Sequence, residues 1–99
     1  MRVDGFDWDA GNQEKCAKHG LTIDKIEALF RRPVMVFPDE AHSMSEPRLR
    51  AVGRTDEGRA VFVVFTVRVR AGARLIRPIS ARYMHRKEIA RFEEENSDL

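Results

Sequence analysis

The sequence predicts an α+β fold: a small antiparallel sheet of three to five strands, with two helices before it and one after it. Apolar residues recur at helical spacing near the start of the chain, runs rich in Val, Phe and Thr fill its middle, and helical spacing returns near its end. A chain of 99 residues has room for one modest core. We therefore expect a single domain over residues 1–99, in which residues 93–99 form an acidic, frayed tail.

Two short helices are predicted in the first third of the chain. Asp9 can accept hydrogen bonds from the free N–H groups of a first helix, which should end near His19 because Gly20 is a natural left-handed terminator. Thr22 is a second N-cap, and Pro33 ends the helix that follows it. The second helix carries one apolar stripe, which gives it a face to bury.

The remaining segments alternate between strand candidates and turns. In chain order, the strand candidates cover residues 3–8, 34–37, 48–54, 59–69 and 74–82, and a last helix covers about 84–96. Residues 55–58 and 71–73 supply hairpin turns, and Gly53, Gly58 and Gly72 are interpreted as turn glycines. Because both faces are apolar over residues 61–65, the strand at 59–69 is predicted to be central.

Charge is distributed unevenly along the chain. The formal net charge is +2, yet residues 68–91 hold eight basic residues and a single acid, Glu88, for a net charge of +7. Residues 1–67 carry −1 and residues 92–99 carry −4. Such a concentration suits a polyanion, usually RNA or DNA, although a solvated basic face without a ligand remains the alternative.

Composition limits the class of protein. The chain is 42% hydrophobic and 34% charged, as expected of a soluble globular protein. Cys16 is the lone cysteine and cannot form an internal disulfide, which fits a reducing cytosol. Acidic residues interrupt the start of the chain, and the longest apolar run, 60–65, is far shorter than the roughly 20 residues that span a bilayer. We expect a cytoplasmic protein without a membrane segment.

Arginines on the strands are candidates for binding phosphate, because the planar guanidinium donates to phosphate oxygens at two points. Strand alternation places Arg68 and Arg70 on one face, and Ser80 and Arg82 on one face of the next strand. A hairpin of these strands would bring Arg68 or Arg70 near Arg82. The alternative is that these arginines pair with Glu93–Glu95 or with a partner protein.

Two histidines and a tyrosine are candidates for the remaining steps. Histidine is the residue type suited to proton transfer near neutral pH, so His19 and His85 are the candidates for that step, and Tyr83 could stack on a base. As alternatives, His19 packs under Trp8 or caps its helix, His85 is an ordinary helix residue, and Tyr83 is buried in the core. Cys16 and His19 lie three residues apart, but no second pair completes a metal site, so no metal or other cofactor is expected.

An ordered series of short motifs runs along nearly the whole chain. It consists of Phe6-Asp7-Trp8-Asp9, Asn12, Lys15, Lys18-His19-Gly20, Glu27-Ala28-Leu29-Phe30, Val52-Gly53-Arg54, Gly58-Arg59, Thr66, Arg68, Ile79-Ser80-Ala81-Arg82 and Arg86-Lys87-Glu88. In this order and spacing, the chain resembles the BrnT family, the toxins of bacterial BrnT–BrnA toxin–antitoxin pairs. The resemblance implies a RelE-like fold, ribonuclease activity and neutralisation by a partner antitoxin with a ribbon-helix-helix part.

The residues and the resemblance together predict a metal-independent endoribonuclease toxin that inhibits translation and growth. Its candidate catalytic residues are Arg68, Arg82, His19 and His85, and its candidate RNA-binding residues are Lys18, Arg70, Tyr83, Arg86 and Arg91. Its expected partners are RNA and a BrnA-like antitoxin, with which it would form a heterotetramer. The alternative is a non-catalytic basic module that binds an antitoxin or nucleic acid.

Overall fold

The computed structural model describes residues 3–39 and 46–96, which contain five strands and three helices. In chain order these are β1 (Gly5–Phe6), α1 (Ala10–Ala17), α2 (Ile23–Arg31), β2 (Met35–Pro38), β3 (Leu49–Arg54), β4 (Ala60–Arg70), β5 (Ala73–Tyr83) and α3 (Arg86–Glu95). The predicted α+β class, with two helices before the main strands and one after them, is confirmed. Within the described residues, no helix is long and apolar enough to cross a membrane.

The sheet has the strand order β1-β5-β4-β3-β2, so β4 is central as predicted. Strands β2 to β5 pair antiparallel, whereas β1 pairs parallel to β5 through Gly5 opposite Leu75 and Phe6 opposite Ile76. The sheet is therefore mixed rather than wholly antiparallel. A strand of two residues has no sequence pattern that indicates whether it pairs parallel or antiparallel. Its direction depends instead on where the segment that follows it packs.

The helix ends follow the predicted caps. The Asp9 side chain accepts a hydrogen bond from the backbone of Asn12 at 3.0 Å, and the Asn12 side chain accepts one from the backbone of Asp9 at 2.7 Å. Thr22 caps α2 by accepting from the backbone N–H of Lys25 at 3.3 Å. Gly20 has φ +82°, the left-handed conformation expected of it. These local contacts fix where α1 and α2 begin and where the chain turns between them.

The core lies between the sheet and the first two helices. Ile26 and Leu29 of α2 are buried against Val63 and Phe65 of β4, and the ring of Phe30 meets that of Phe65 edge-on at 5.2 Å between centroids. We call this the inner face of the sheet, and the opposite one the outer face. Helix α3 lies over part of the outer face but buries none of its residues fully, so the outer face stays more open.

Gly53 lies inside β3, and its interpretation as a turn glycine was wrong. A Cβ atom there would lie 2.9 Å from Cγ1 of Val34 and 3.1 Å from Cδ1 of Leu29. The glycine is therefore required by the close approach of the residues that pack on β3, rather than by a turn. Gly58 and Gly72 do have positive φ angles in the turns before and after β4, at +84° and +82°.

The predicted acidic tail is partly helical. Glu93, Glu94 and Glu95 form the last turn of α3, and the Asn96 side chain donates to the backbone oxygen of Phe92 at 2.8 Å. Residues 97–99 lie outside the described part of the chain. The acidic groups of this turn are thus held beside the domain, where Glu93 pairs with Arg54 at 2.8 Å.

Candidate functional site

The outer face of the sheet carries a set of arginines. Register and strand alternation place Arg50 and Arg54 of β3, Arg68 and Arg70 of β4, and Arg77 and Arg82 of β5 on this face. The expectation that Arg68 and Arg70 share a face is therefore confirmed, and Arg82 lies on that face as well. A row of guanidinium groups on an open sheet is a candidate surface for an anion.

Arg68 and Arg82 do not meet, so the expected approach of Arg68 or Arg70 to Arg82 was wrong. Arg68 lies opposite Leu75, whereas Arg82 lies opposite Phe62, six residues back along β4. At roughly 3.3 Å per residue this separates the two positions by about 20 Å. Alternation predicts the face of a strand residue, but only the pairing register tells how far along the sheet it lies.

Three of the arginines converge on Asp7, which directly follows β1. Oδ2 of Asp7 lies 3.2 Å from Nη2 of Arg70, 3.6 Å from Nη1 of Arg77 and 3.9 Å from Nη1 of Arg68. Asp7 is 9% exposed, and its Oδ2 has no hydrogen-bond partner in the described structure. A buried carboxylate needs compensating charge, and here the three guanidinium groups supply it.

Further carboxylates balance these arginines. Arg77 pairs with Asp9 at 2.6 Å and Arg68 with Glu46 at 3.0 Å, and the hydrogen bond that Arg68 donates to Glu46 raises the pKa of Arg68. We call these six residues the Asp7 cluster: Asp7, Asp9, Glu46, Arg68, Arg70 and Arg77. With three cations and three anions it is formally neutral, so it is better suited to tie the N-terminal segment to the β4–β5 hairpin than to bind phosphate.

A different arrangement surrounds Tyr83 at the end of β5. The guanidinium carbon of Arg59 lies 3.5 Å from the centroid of the Tyr83 ring. The turn at Gly20 also approaches the ring of Tyr83. A Cβ atom added to Gly20 would lie 3.9 Å from Cε2 of Tyr83. The turn that carries Lys18 and His19 is thereby placed next to Tyr83, and both side chains are exposed. His85, also exposed, follows two residues after Tyr83.

Arg82 is held by Glu88 at the same end of the sheet. Its Nη1 and Nη2 donate to the two carboxylate oxygens of Glu88 at 2.6 and 2.8 Å, and Oε1 of Glu88 also accepts from the backbone N–H of His85 at 2.9 Å. The hydrogen bonds from Arg82 and then from His85 lower the pKa of Glu88 to about 2. Two of the five guanidinium N–H donors are used in this pair, which leaves three for another acceptor.

These residues form a cationic, aromatic site that wraps around the end of β5. We call it the Tyr83 end, and it consists of Lys18, His19, Arg59, Arg82, Tyr83, His85, Arg86 and Glu88. Arg82 is on the outer face, whereas Tyr83 lies opposite Val61 on the inner face. The Tyr83 end contains four cationic side chains and one carboxylate, whereas the Asp7 cluster is formally neutral. By formal charge, the Tyr83 end is therefore the more favourable of the two places for an anionic ligand.

The structure thus divides the predicted site residues between two places. Lys18, His19, Arg82, Tyr83, His85 and Arg86 lie on segments that meet at the end of β5, with Arg82 and Tyr83 on opposite faces of the sheet, whereas Arg68 and Arg70 belong to the Asp7 cluster. Arg91 points to neither, because it pairs with Glu95 at 3.1 Å one turn along α3. Arg59 was missed by the sequence reasoning. Arg59 lies two residues before Val61, and Val61 pairs with Tyr83. Arg59 and Tyr83 are therefore diagonal neighbours across the two strands, which the strand register reveals.

Cys16 and the acidic residues that the structure describes do not assemble into a metal centre. Among residues 3–39 and 46–96, no group of three or more histidine, cysteine, aspartate or glutamate side chains is arranged to hold a metal ion. Cys16 is buried in the core, and burial raises the pKa of its thiol to about 11. The thiol is therefore protonated at neutral pH and fills space in the core.

An exposed cationic surface with an aromatic ring is typical of proteins that bind single-stranded nucleic acid. The sequence profile of the family described as the ribonuclease toxin BrnT of type II toxin–antitoxin systems matches residues 8–88. This match covers most of the chain, and the protein therefore belongs to the BrnT family of ribonuclease toxins. Among curated proteins, none matches the chain significantly.

Proposed function

We propose that the Tyr83 end is where this toxin binds and cleaves RNA. The observation that carries the proposal is the approach of the Gly20 turn to Tyr83, where a Cβ atom on Gly20 would lie 3.9 Å from Cε2 of the ring, because His19 directly precedes Gly20 and His85 follows two residues after Tyr83. Two residues able to transfer protons and one able to bind phosphate are thus supplied at one end of the sheet. The surplus of positive charge there supports the approach of RNA.

The proposed reaction uses the ribose 2′-hydroxyl as the nucleophile. It attacks the adjacent phosphorus, a base removes its proton, and an acid protonates the departing 5′-oxygen, so that a 2′,3′-cyclic phosphate and a 5′-hydroxyl result. His19 and His85 are proposed as the proton-transfer groups. Because side chains of this chain supply each role, the reaction is proposed to proceed without metal or organic cofactor.

Arg82 is proposed to stabilise the additional negative charge on the phosphate. Preorganised donors aimed at developing charge contribute strongly to catalysis, and the pair with Glu88 holds the guanidinium in one orientation. Lys18 and Arg86 are proposed to contact neighbouring phosphates. Arg68 and Arg70 are proposed to stabilise the Asp7 cluster instead of acting on RNA, since their charges are already balanced by carboxylates.

The partner is proposed to be a BrnA-like antitoxin with a ribbon-helix-helix part. The type II toxin–antitoxin family implies an antitoxin protein as partner. Dimerisation of the ribbon-helix-helix part would join two toxins in a heterotetramer, in which an acidic or amphipathic segment covers the Tyr83 end. In its absence the toxin would degrade RNA in the cytoplasm and so inhibit translation and growth.

A non-catalytic binding module is the alternative, and one assay separates the two. Purified protein is incubated with RNA in excess EDTA, and the products are analysed for length and for terminal phosphate. Cleavage with 2′,3′-cyclic phosphate ends supports the proposed reaction. Binding without cleavage favours the alternative, and activity that disappears with EDTA and returns with one divalent ion contradicts metal independence.

A further inference from the structure

Arg59 presents a flat, exposed surface at the Tyr83 end. Its guanidinium carbon is 3.5 Å from the Tyr83 ring centroid, which is already van der Waals contact. A guanidinium standing on edge would push a nitrogen about 1 Å closer to the ring, inside that contact distance. The group therefore lies flat on the ring, and because Arg59 is exposed, its other side faces solvent.

The backbone of Arg59 is fixed by the turn before β4. Its N–H donates to Oγ1 of Thr55 at 3.2 Å, and its carbonyl accepts from the N–H of Thr55 at 2.9 Å. Thr55 is itself buried, and Gly58 closes the same turn at φ +84°. The Arg59 side chain thus packs on the Tyr83 ring, and its backbone is held by a hydrogen-bonded turn. This order in the free protein limits the conformational entropy that is lost when a ligand binds to Arg59.

We propose that Arg59, stacked on Tyr83, is the surface on which an unpaired RNA base rests. Arg59 already covers one side of the Tyr83 ring, so a base stacks on the outer side of the guanidinium instead of on the ring. Guanidinium planes and aromatic rings both stack on nucleobases, and a three-layer stack of base, Arg59 and Tyr83 uses both. The ligand class is therefore single-stranded RNA with one base turned out against Arg59.

This inference rests on the proposed function for its substrate, but binding can be measured without cleavage. The probes are short 2′-O-methyl RNA oligonucleotides, which lack the nucleophile, with 2-aminopurine at each position in turn. The fluorescence of 2-aminopurine falls when it stacks. With the wild type we expect quenching at one position, and with Arg59→Lys, which keeps the charge but loses the plane, we expect that quenching to disappear.

Affinity gives a second measurement. Arg59→Lys should weaken binding about tenfold, whereas an oligonucleotide that is abasic at the quenched position should bind the two proteins equally. Arg74→Lys is the matched control, because Arg74 is exposed opposite Val69 at the far end of the hairpin, and it should bind as the wild type does. Circular dichroism verifies that both variants are folded.

The outcomes separate this inference from the proposed function. Quenching that persists in Arg59→Lys, or an equal loss of affinity in Arg74→Lys, overturns the stack even if the wild type cleaves RNA. Position-specific quenching that depends on Arg59 in a protein without cleavage supports the stack and overturns the proposed reaction. A wild type that does not bind any of the oligonucleotides overturns both.

Discussion

Arg82 and Glu88 form a two-point ion pair, with N–O distances of 2.6 and 2.8 Å, that joins the end of β5 to the first turn of α3. Glu88 also accepts a hydrogen bond from the backbone of His85. A single carboxylate therefore orients one proposed phosphate ligand and anchors the segment that carries one proposed proton-transfer group. We therefore propose Glu88 as a positioning residue for the Tyr83 end.

Replacement of Arg82 tests the assignment of the phosphate ligand. Arg82→Ala should lower the rate of RNA cleavage about 100-fold or more, since the loss of one preorganised donor has effects of this order. The fold should survive, because the Arg82 side chain is 37% exposed. The measurement is cleavage of a defined RNA, together with the thermal midpoint of unfolding.

Arg68→Ala is the matched control for Arg82→Ala. Both arginines lie on the outer face of the sheet and both pair with a glutamate, but Arg68 belongs to the Asp7 cluster. We expect Arg68→Ala to retain nearly wild-type cleavage and to lower stability, because it removes one of the three cations around buried Asp7. The reverse result, with Arg68 essential and Arg82 dispensable, would move the site to the other end of the sheet.

The ion pair also predicts how stability responds to acid. The pKa of Glu88 is lowered to about 2 in the folded protein from a usual value of 4.5, so between these values the unfolded chain binds more protons. Stabilisation by ionised Glu88 is therefore complete above about pH 4.5 and is lost as the pH falls towards 2. Thermal unfolding of the wild type and of Glu88→Gln should show a difference at neutral pH that shrinks over this range. A difference that is constant with pH would contradict the role of the charged form.

Gly53 is predicted to be intolerant of even one methyl group. The Cβ atom of Gly53→Ala would meet Val34 and Leu29 at 2.9 and 3.1 Å, so the free energy of unfolding should fall by about 1–3 kcal/mol. Gly5→Ala is the control in β1 at the edge of the same sheet, where the new atom meets, among the described residues, Leu75 alone at an ordinary 3.5 Å. Denaturant unfolding should show a loss for Gly53→Ala well above that for Gly5→Ala. Equal losses of stability in the two variants would mean that the contacts with Val34 and Leu29 are not what requires a glycine at position 53.

Association with the antitoxin should depend on salt. If an acidic segment covers the Tyr83 end, its charges accelerate the encounter, and screening should slow association as ionic strength rises through the physiological range. Stopped-flow measurements on the purified toxin and its cognate antitoxin provide the test. An association rate indifferent to salt would contradict the proposed interface, as would protection from hydrogen exchange that is confined to α2.

The sequence by itself determined the elements and their local ends. Asp9, Thr22 and Gly20 act through hydrogen bonds and backbone angles within a few residues, so their roles as caps could be predicted without a fold. The central position of β4 followed in the same way, because apolar residues on both faces indicate a strand that is covered on both sides. The motifs along the chain also sufficed to predict the BrnT family, which the profile match confirms.

Only the tertiary structure decided which of the charged residues belong together. The register of β4 against β5 separates Arg68 from Arg82 by about 20 Å although both lie on one face, and it places Arg59 against Tyr83. Likewise, the need for a glycine at position 53 depends on Val34 and Leu29, which approach it from other segments. Within a hairpin the turn sets the register, but which other segments approach Gly53 or Tyr83 is not specified by any local pattern, because those partners are chosen by the fold as a whole.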